Sequence, residues 1–228
     1  MASFEDSYHF HHATIQDADA INQLESQSYP ADEAATYDKI VYRIKNANEY
    51  FYVLKKHNEL VGFINGTCIM ENTIHHESMS HHHPEGKYLV IHSVTVRKEA
   101  RRQKIASKML RAYVHKIADL RKVKEILLMS KSYLLPFYLQ VGFNFVKVSP
   151  VVHGAEQWNE LAMDLQDHFG VKEWVVDAFA ARPFTGNPAA VVLIQRDDQW
   201  MQSVATENNY AETSFVQHLH DNHYSLRW

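Results

Sequence analysis

Basic residues stand between a strand pattern and a helix pattern in the stretch from Tyr88 to Ala106, which reads YLVIHSVTVRKEARRQKIA. Its first half is rich in β-branched residues, which favour strands, and Arg101, Arg102 and Lys104 crowd the turn that follows. An apolar pattern of helical period begins at Ile105, so free backbone amides and the positive end of the helix dipole face the turn. This arrangement predicts a site for a small anion. The alternative is an ordinary strand-to-helix connection with solvated basic side chains.

The elements around this stretch follow from hydrophobic spacing and turn signals. Thr14 and Asp17 are spaced as a capping box, and the helix that follows them stops at Pro30. Apolar residues at every fourth position from Ile105 to Ile117 predict a helix packed on a sheet. The remaining elements of this α/β domain are strands at 50–55 and 60–70 joined as a hairpin, a strand at 125–129, a helix broken or kinked near Pro136, and strands at 143–148 and 160–165.

The composition is that of a folded protein. The chain has 228 residues, 46% of them hydrophobic, which is enough for one domain of ordinary size plus a fragment. No run approaches the roughly 18 apolar residues of a membrane helix, and the first residues, MASFEDSYHF, lack the apolar core of a signal peptide. Cys68 is the only cysteine, which excludes an internal disulfide and suits a reducing compartment. We therefore expect a soluble cytoplasmic protein that does not bind membranes.

Charge and histidine content bear on two further classes of partner. The net charge of −4 argues against a nucleic-acid partner, because nucleic-acid phosphates need a broad basic surface. The 16 histidines, which include His75–His76 and His81–His83, raise the possibility of a metal site. Adjacent histidines in a polar loop seldom supply convergent geometry and supporting ligands, however. We expect no metal ion.

The basic turn reads R-x-x-K-x-A, which resembles the Q/R-x-x-G-x-G/A loop of the GNAT superfamily of N-acetyltransferases. Three further blocks, at 28–36, 77–96 and 127–143, extend the resemblance in order and spacing over a domain at 1–166. Together they narrow it to the arylalkylamine (serotonin) N-acetyltransferase-like branch. The resemblance implies an α/β (α+β) fold with a mixed, mostly antiparallel sheet flanked by helices. It also implies an acetyltransferase that uses acetyl-coenzyme A as its cosubstrate.

In this family the loop holds the pyrophosphate of acetyl-coenzyme A. Lys104 stands where the family usually has glycine, and a left-handed backbone there costs a residue with a side chain about 1–2 kcal/mol. We therefore expect the loop to bind acetyl-coenzyme A more weakly than a loop with glycine at this position, but still to bind it. The residues that the resemblance assigns to the cofactor are Val94, Val96, Arg101, Arg102, Gln103, Lys104, Ile105, Ala106 and Ser107.

Deprotonation of the amine is the main chemical obstacle, because an alkylammonium with a pKa near 10.4 is neutral in only about one molecule in 2,500 at pH 7. His92 matches one of two strand histidines of the family, and an unperturbed pKa near 6.5 suits proton acceptance. Val90 occupies the other position, so the pair is incomplete. Tyr138 matches the tyrosine that protonates the departing thiolate, although a core aromatic residue would look the same in sequence. Backbone amides near Val94 would stabilise the oxyanion.

The segment YPADEAA, which begins at Tyr29, is the expected acceptor site. Pro30 fixes the chain after the first helix, and Asp32 and Glu33 could attract a cationic amine. Acidic residues after a proline are also ordinary helix starters, so direct contact with the amine stays open. A polyamine could use the same acids as an arylalkylamine. The aromatic residues that could face an arylalkyl group are Tyr29, Tyr37 and Phe137.

A second resemblance begins after a linker at 167–172. Residues 173–228 contain VVDAFAARPFTGNPAAVVL and YAETSFV, which resemble the first segment of PhzF-like isomerases. This resemblance implies a β-rich segment with a helix at Trp200–Asn208 and a strand that begins at Glu212. It also implies that Glu212 corresponds to the family's catalytic glutamate. The sequence ends after SLRW, where that family continues into a second lobe, so we expect an incomplete segment that cannot isomerise a substrate. The turn between its first strands is assigned to Arg182, Pro183, Gly186, Asn187 and Pro188.

The leading hypothesis is therefore an acetyl-coenzyme A dependent N-acetyltransferase that acts on a small-molecule amine. A degenerate domain that binds coenzyme A or a partner without turnover is the first rival, because of Lys104 and Val90. A PhzF-like isomerase is a third and weaker hypothesis. The sequence leaves the amine and the oligomeric state open.

Overall fold

The computed structural model of this chain describes residues 8–75, 78, 80–151, 156–165, 173–179, 186–193 and 198–228. The chain divides into two compact units, residues 1–169 and 170–228. The expected linker at 167–172 lies outside the described residues. No helix in the described ranges is long and apolar enough to cross a membrane.

The first unit is one sheet with helices on both faces. Its described strands are β1 (His9–His12), β2 (Phe51–Lys56), β3 (Glu59–Ile69), β4 (Tyr88–Val96), β5 (Glu125–Ser130), β6 (Asn144–Val148) and β7 (Asn159–Asp164). Its described α-helices are α1 (Ala18–Ser28), α2 (Tyr37–Asn46), α3 (Ile105–Leu120) and α4 (Leu135–Val141). The strand order is β1-β2-β3-β4-β5-β7-β6, and among these pairs β4 and β5 alone run parallel. The mixed, mostly antiparallel sheet flanked by helices is confirmed.

Alternation along β2 supplies apolar side chains to both faces of the sheet. Tyr52 and Leu54 join the core that contains α3 and α4, whereas Phe51 and Val53 pack with α1 and α2. The predicted apolar stripe of α3, from Ile105 to Ile117, is buried in the first of these cores. Full burial of one such side chain contributes about 1.5–3 kcal/mol, so the two cores hold the helices against the sheet.

Most helix ends agree with the sequence signals. The backbone amide and Oγ1 of Thr14 donate to the carboxylate of Asp17 at 2.9 and 2.8 Å, which caps the turn before α1. Helix α1 ends before Pro30, and α3 begins at Ile105, as predicted. The expected break near Pro136 is wrong. Pro136 lies in the first turn of α4, where its missing amide hydrogen costs no helical hydrogen bond, so it starts a helix.

Two elements are absent from the sequence prediction, β1 and α2. Helix α2 begins after Thr36, whose Oγ1 accepts a hydrogen bond from the Lys39 amide at 3.4 Å, and it buries Ile40 and Ile44. This cap and spacing were readable in the sequence. Strand β1 is an exposed, histidine-rich edge that pairs with β2, and no apolar alternation marks it.

Strand β4 separates from its neighbours halfway along its length. Its pairing with β3 shifts between Asn65 and Gly66, because His92 is an extra residue that forms a β-bulge. Its described parallel pairing with β5 ends at Ile91, opposite Leu128. The second half of β4 therefore has an open edge on the side of β5.

The second unit is a smaller sheet with one described helix. Its elements are β8 (Glu173–Ala178), β9 (Asn187–Val192), α5 (Asp198–Asn208), β10 (Glu212–His220) and β11 (His223–Arg227), with strand order β11-β10-β9-β8. Val192, Met201 and Phe215 form its core. The expected β-rich character is confirmed.

The predicted turn before β9 needs a correction. Asn187 and Pro188 lie in β9, because they pair with Ala178 and Asp177 of β8. Gly186 precedes the strand, and Arg182 with Pro183 lies outside the described residues. The turn therefore ends earlier than the sequence pattern suggested.

Candidate active site

A cavity of about 410 Å³ opens where β4 parts from β5. Val94 and Val96 of β4 line it on one side, and Arg101 lines it from the loop that follows. Phe137 and Tyr138 of α4 contribute the opposite wall. Its volume lies within the range of small-molecule sites, so the split in the sheet creates a binding cleft.

Tyr29 closes the open edge of β4. The Val94 amide donates to the Tyr29 hydroxyl across 3.3 Å, and Thr95 Oγ1 donates to the same oxygen across 3.3 Å. The Tyr29 hydroxyl in turn lies 3.5 Å from the Val94 carbonyl oxygen. Burial, with the charge of Glu25 nearby, raises the pKa of Tyr29 to about 12, so the phenol stays protonated at pH 7. The amide that the sequence assigned to the oxyanion is thus a donor beside the cavity, with Tyr29 as its acceptor.

The loop before α3 has left-handed backbone at two positions. Lys104 has φ 60° and ψ 15°, and Arg102 has φ 62°. The Lys108 amide makes an early helical bond to the Lys104 carbonyl oxygen, at 3.1 Å. The amides of residues 105–107 precede it, so they have no acceptor within the helix, and the helix dipole adds positive potential there. This geometry fits a diphosphate, and the left-handed Lys104 agrees with the strain expected at that position.

Arg101 braces the loop. Its Nε donates to the Val96 carbonyl oxygen at 2.9 Å, and its Nη2 donates to Ser28 Oγ at 3.3 Å. Ala106 lines the cavity, whereas the side chain of Ile105 is buried in the core under α3. The contribution of Ile105 to a cofactor site is therefore its backbone amide.

The other loop side chains are solvent-facing or half-buried. Gln103 Nε2 donates to the Glu99 carbonyl oxygen at 3.3 Å and stays exposed. Arg102 and Lys104 are exposed, and Ser107 is half-buried. The side chains of Arg102 and Lys104 therefore do not pack in the core.

His92 lies at the bulge of β4 and lines the cavity. Its Nε2 pairs with Thr67 Oγ1 at 2.7 Å, and its Nδ1 has no hydrogen-bond partner among the described residues. Burial, together with the charges of Arg43 and Lys39, lowers the pKa of His92 well below its ordinary value. The imidazole is therefore neutral at pH 7, which corrects the expectation of a pKa near 6.5. Val90, at the second histidine position, is buried in an apolar cluster.

Tyr138 lines the cavity from α4. Its ring packs edge-on against Phe137 and Phe143, with ring centres 4.8 and 5.9 Å apart. Burial, with smaller contributions from Tyr29 and Tyr133, raises the pKa of the Tyr138 phenol above its ordinary value. The phenol is thus fixed in place and protonated at pH 7.

The acceptor segment is divided between the cavity and the solvent. Tyr29, Pro30 and Glu33 line the cavity, whereas Asp32 is exposed and is not among the lining residues. Glu33 is already paired, because its Oε1 lies 2.6 Å from Lys131 Nζ and both side chains are less than one-tenth exposed. The two acids expected to attract an amine are therefore in different environments.

The aromatic lining differs in part from the expectation. Tyr29 and Phe137 line the cavity, but Tyr37 is 44% exposed and lies outside it. Tyr133 and Trp158 take part instead. The cavity keeps an aromatic character through residues that no sequence motif indicated.

Lys131 is a buried cation at the centre of a cluster that sequence reasoning missed. Its Nζ lies 3.3 Å from Glu156 and 4.1 Å from the centre of the Trp158 ring, in addition to its contact with Glu33. Burial alone would lower the pKa of Lys131, but the two carboxylates raise it overall, so the ammonium persists. Four residues from three distant segments meet here, and no local spacing could have revealed them.

The expectation of no metal stays a prediction. Within the described ranges, no group of three histidine, cysteine, aspartate or glutamate side chains could hold an ion, and His76 lies outside those ranges. Cys68 is buried, and burial raises the pKa of its thiol to about 11. In the second unit, Glu212 is exposed at the first residue of β10.

Two family models match the chain. The acetyltransferase (GNAT) family model matches residues 18–143, and the phenazine biosynthesis-like protein model matches residues 176–228. The serotonin N-acetyltransferase of Mesocricetus auratus is 27% identical over 158 residues, which are 68% of this chain and 76% of that protein. An uncharacterized isomerase of Halalkalibacterium halodurans is 54% identical over 57 residues, 24% of this chain and 21% of its own length. The chain thus spans about a fifth of that isomerase.

A solved structure shares the fold of the first unit. The loading GNATL domain of CurA from Lyngbya majuscula superposes with a TM-score of 0.64, over 70% of this chain and 98% of that domain. The two sequences are 16% identical. At this identity the likeness concerns the fold alone.

Proposed function

Because the chain belongs to the acetyltransferase (GNAT) family, we propose that it transfers the acetyl group of acetyl-coenzyme A to a primary amine. The observation that carries this proposal is that Val94, with its amide donor, and Tyr138, with its phenol, line one cavity at the open edge of β4. Aminolysis of a thioester needs a hydrogen-bond donor at the carbonyl oxygen and a proton donor at the sulfur. These two groups answer those needs.

In the proposed reaction, the amides of residues 105–107 bind the diphosphate, and the Val94 amide binds the thioester carbonyl. His92 assists the loss of the amine proton. The neutral amine then attacks the carbonyl carbon, a carbon–nitrogen bond forms and the carbon–sulfur bond breaks. Tyr138 protonates the departing thiolate, and burial keeps that phenol protonated until then.

We propose an arylalkylamine as the acceptor. The aromatic lining by Tyr29, Tyr133, Phe137 and Trp158 supports this class, and so does the similarity to a serotonin N-acetyltransferase. A polyamine would need free carboxylates along its length. Glu33 is held by Lys131, which weakens the case for a polyamine.

The test is to follow free thiol while purified protein is incubated with acetyl-coenzyme A and one amine at a time. Release with 2-phenylethylamine or tryptamine, and little with spermidine, is the expected result. Thiol release without any amine would indicate simple hydrolysis and contradict the proposal. Thiol release with spermidine but with no arylalkylamine would support the proposed acetyl transfer and show that the acceptor is a polyamine instead.

A domain that binds coenzyme A without turnover is the second candidate. Lys104 in a left-handed loop and Val90 at the position of a catalytic histidine favour it. Calorimetry with coenzyme A distinguishes the two candidates, because heat of binding without thiol release identifies the inactive domain.

We further propose a cytoplasmic location, which the buried and reduced Cys68 supports, and a small-molecule partner with no nucleic acid or metal. We propose domain boundaries at 1–166 and 173–228, with Glu212 as a remnant of the isomerase-like site. An isomerase reaction is the least supported function, because Glu212 is exposed to solvent and acid–base chemistry needs a second group held close to it.

A further inference from the structure

A second, smaller chamber of about 60 Å³ adjoins the large cavity. The two share Tyr29, Glu33, His92 and Trp158 in their linings, so the chamber borders the site of the proposed reaction. One water molecule needs about 10–15 Å³ of such volume, which leaves room for several. The inner wall of the chamber is formed by Glu25 of α1.

Glu25 is held by one of its two carboxylate oxygens. Oε1 accepts hydrogen bonds from the Ala35 amide at 2.9 Å and from Ser93 Oγ at 3.1 Å. Oε2 is buried and has no hydrogen-bond partner in the described part of the chain, and the residue is 2% exposed. A buried ionised carboxylate with an unpaired oxygen is unstable unless water or a proton satisfies it. The chamber provides the room for that water.

The hydrogen bond from Ser93 places this carboxylate next to the proposed reacting centre. Its partner Ser93 directly precedes Val94, whose amide is the proposed donor to the thioester oxygen. His92, on the other side of Ser93, lines the same chamber, and its buried Nδ1 has no hydrogen-bond partner among the described residues. A water between these two side chains would connect the amine site with Glu25.

Electrostatics favour Glu25 over His92 as the proton acceptor. A proton on His92 would create a buried cation beside Arg43, whereas a proton on Glu25 removes a buried charge. Burial raises the pKa of Glu25, although the Ala35 amide, Ser93 and Arg43 oppose this. The titratable groups that line the chamber with Glu25 are Lys39 and Arg43 from α2, Tyr29 and Glu33 from the end of α1 and the loop after it, and His92 from β4.

We propose that Glu25 takes up, through chamber water held by His92, the proton that the acceptor amine must lose before it attacks. This inference rests on the proposed function. The ammonium gives one proton to the Glu25 carboxylate, and the neutral amine then attacks the carbonyl carbon, so that a carbon–nitrogen bond forms and a tetrahedral intermediate results. As this intermediate collapses, the carbon–sulfur bond breaks, the Tyr138 hydroxyl gives its proton to the thiolate, and the second nitrogen proton restores the Tyr138 phenol. The proton on Glu25 returns to solvent after product release.

The decisive variant is Glu25→Gln, because the glutamine Oε1 can still accept from Ala35 and Ser93 while the base is lost. We expect kcat/KM with acetyl-coenzyme A and 2-phenylethylamine to fall at least about 100-fold. The turnover of this variant should rise about tenfold per pH unit between pH 7 and 9, because it uses only amine that is already neutral. Glu25→Asp should recover part of the loss. Glu59→Gln makes the same change at an exposed carboxylate and should match the wild-type protein.

The outcomes separate this inference from the function on which it rests. If the wild-type protein and Glu25→Gln release thiol at rates within about threefold of each other and with the same pH profile, Glu25 is not the acceptor and the transferase stands. If the wild-type protein releases no thiol with any amine, both proposals fail. Thermal unfolding checks the fold of each variant. Should Glu25→Gln not fold, the pH profile of Glu25→Asp decides, and an unchanged acidic limb overturns the inference.

Discussion

The Tyr29 hydroxyl lies 3.3 Å from the Val94 amide nitrogen, at the position where the proposed oxyanion forms. Tyr29 follows the last residue of α1, and its hydroxyl also accepts from Thr95 Oγ1. One amide hydrogen cannot direct its bond fully to a phenol oxygen and to an acyl oxygen at once. The tyrosine therefore stands in for the acyl oxygen, and the first step of acyl binding is an exchange of acceptors at Val94.

Tyr29→Phe removes this competing acceptor. We expect acetyl-coenzyme A to bind more tightly by about two- to tenfold, which is the net value of one neutral hydrogen bond. Free coenzyme A has no acyl oxygen, so its affinity should not change. Calorimetry with both ligands is the measurement, and a weaker affinity of the variant for acetyl-coenzyme A would show that Tyr29 assists binding instead.

Tyr138→Phe tests the proton donor. The ring contacts with Phe137 and Phe143 remain, so the free energy of unfolding should change little, whereas kcat should fall by about 100-fold. Tyr37→Phe, at an exposed position outside the cavity, is the matched control and should keep wild-type turnover. An unaffected turnover number in Tyr138→Phe would remove this tyrosine from the mechanism.

Lys104→Gly should stabilise the protein and tighten cofactor binding. The left-handed backbone at φ 60° costs a residue with a side chain about 1 kcal/mol that glycine does not incur, and the loop amides can then approach phosphate more closely. Arg121→Gly relieves a similar backbone, at φ 54°, at the opposite end of α3. Urea unfolding should therefore show a gain for both variants, and calorimetry a gain in coenzyme A affinity for Lys104→Gly alone. A large loss of affinity in Lys104→Gly would mean that the ammonium itself holds the phosphates.

The parts of the fold and site that could be predicted from the sequence are those whose signal lies in neighbouring residues of the chain. The strand, turn and helix from Tyr88 to Ile117 carry their own periodicity, and the loop motif lies within them. Strand β1 was not predicted, because an exposed edge strand has no apolar alternation. The predicted break near Pro136 was wrong, because proline fits the first turn of a helix as well as a break.

The parts that sequence could not predict depend on contacts between distant side chains. Lys131 and Glu33 are 98 positions apart, and Glu25 and Ser93 are 68 apart. Each pair is brought together by the tertiary fold and not by local sequence. The neutral state of His92 is of the same kind, because it is set by burial and by charges on α2.

The depressed pKa of His92 predicts a pH dependence of stability. The unfolded chain binds a proton to this histidine below about pH 6.5, whereas the folded protein binds it only at lower pH. Its contribution to stability is therefore complete above pH 6.5 and is lost as the pH falls below that value, by at most about 1.4 kcal/mol per pH unit. His92→Gln should flatten this slope in urea unfolding between pH 5 and 7, and His115→Gln, on the exposed face of α3, should keep it. Equal slopes in all three proteins would contradict the burial of a neutral imidazole.

The buried pair of Lys131 and Glu33 predicts a large and asymmetric loss of stability. Lys131→Met leaves the Glu33 carboxylate buried without its closest cation, so the free energy of unfolding should fall by about 3–5 kcal/mol. Adding Glu33→Gln removes that buried charge and should restore part of the loss. The matched control, Lys122→Met, breaks an ion pair with Glu49 of the same 2.6 Å length at a more exposed site, where the cost should be below about 1 kcal/mol. Urea unfolding of the wild-type protein and the three variants measures these differences, and similar losses for Lys131→Met and Lys122→Met would mean that water reaches Glu33 in solution.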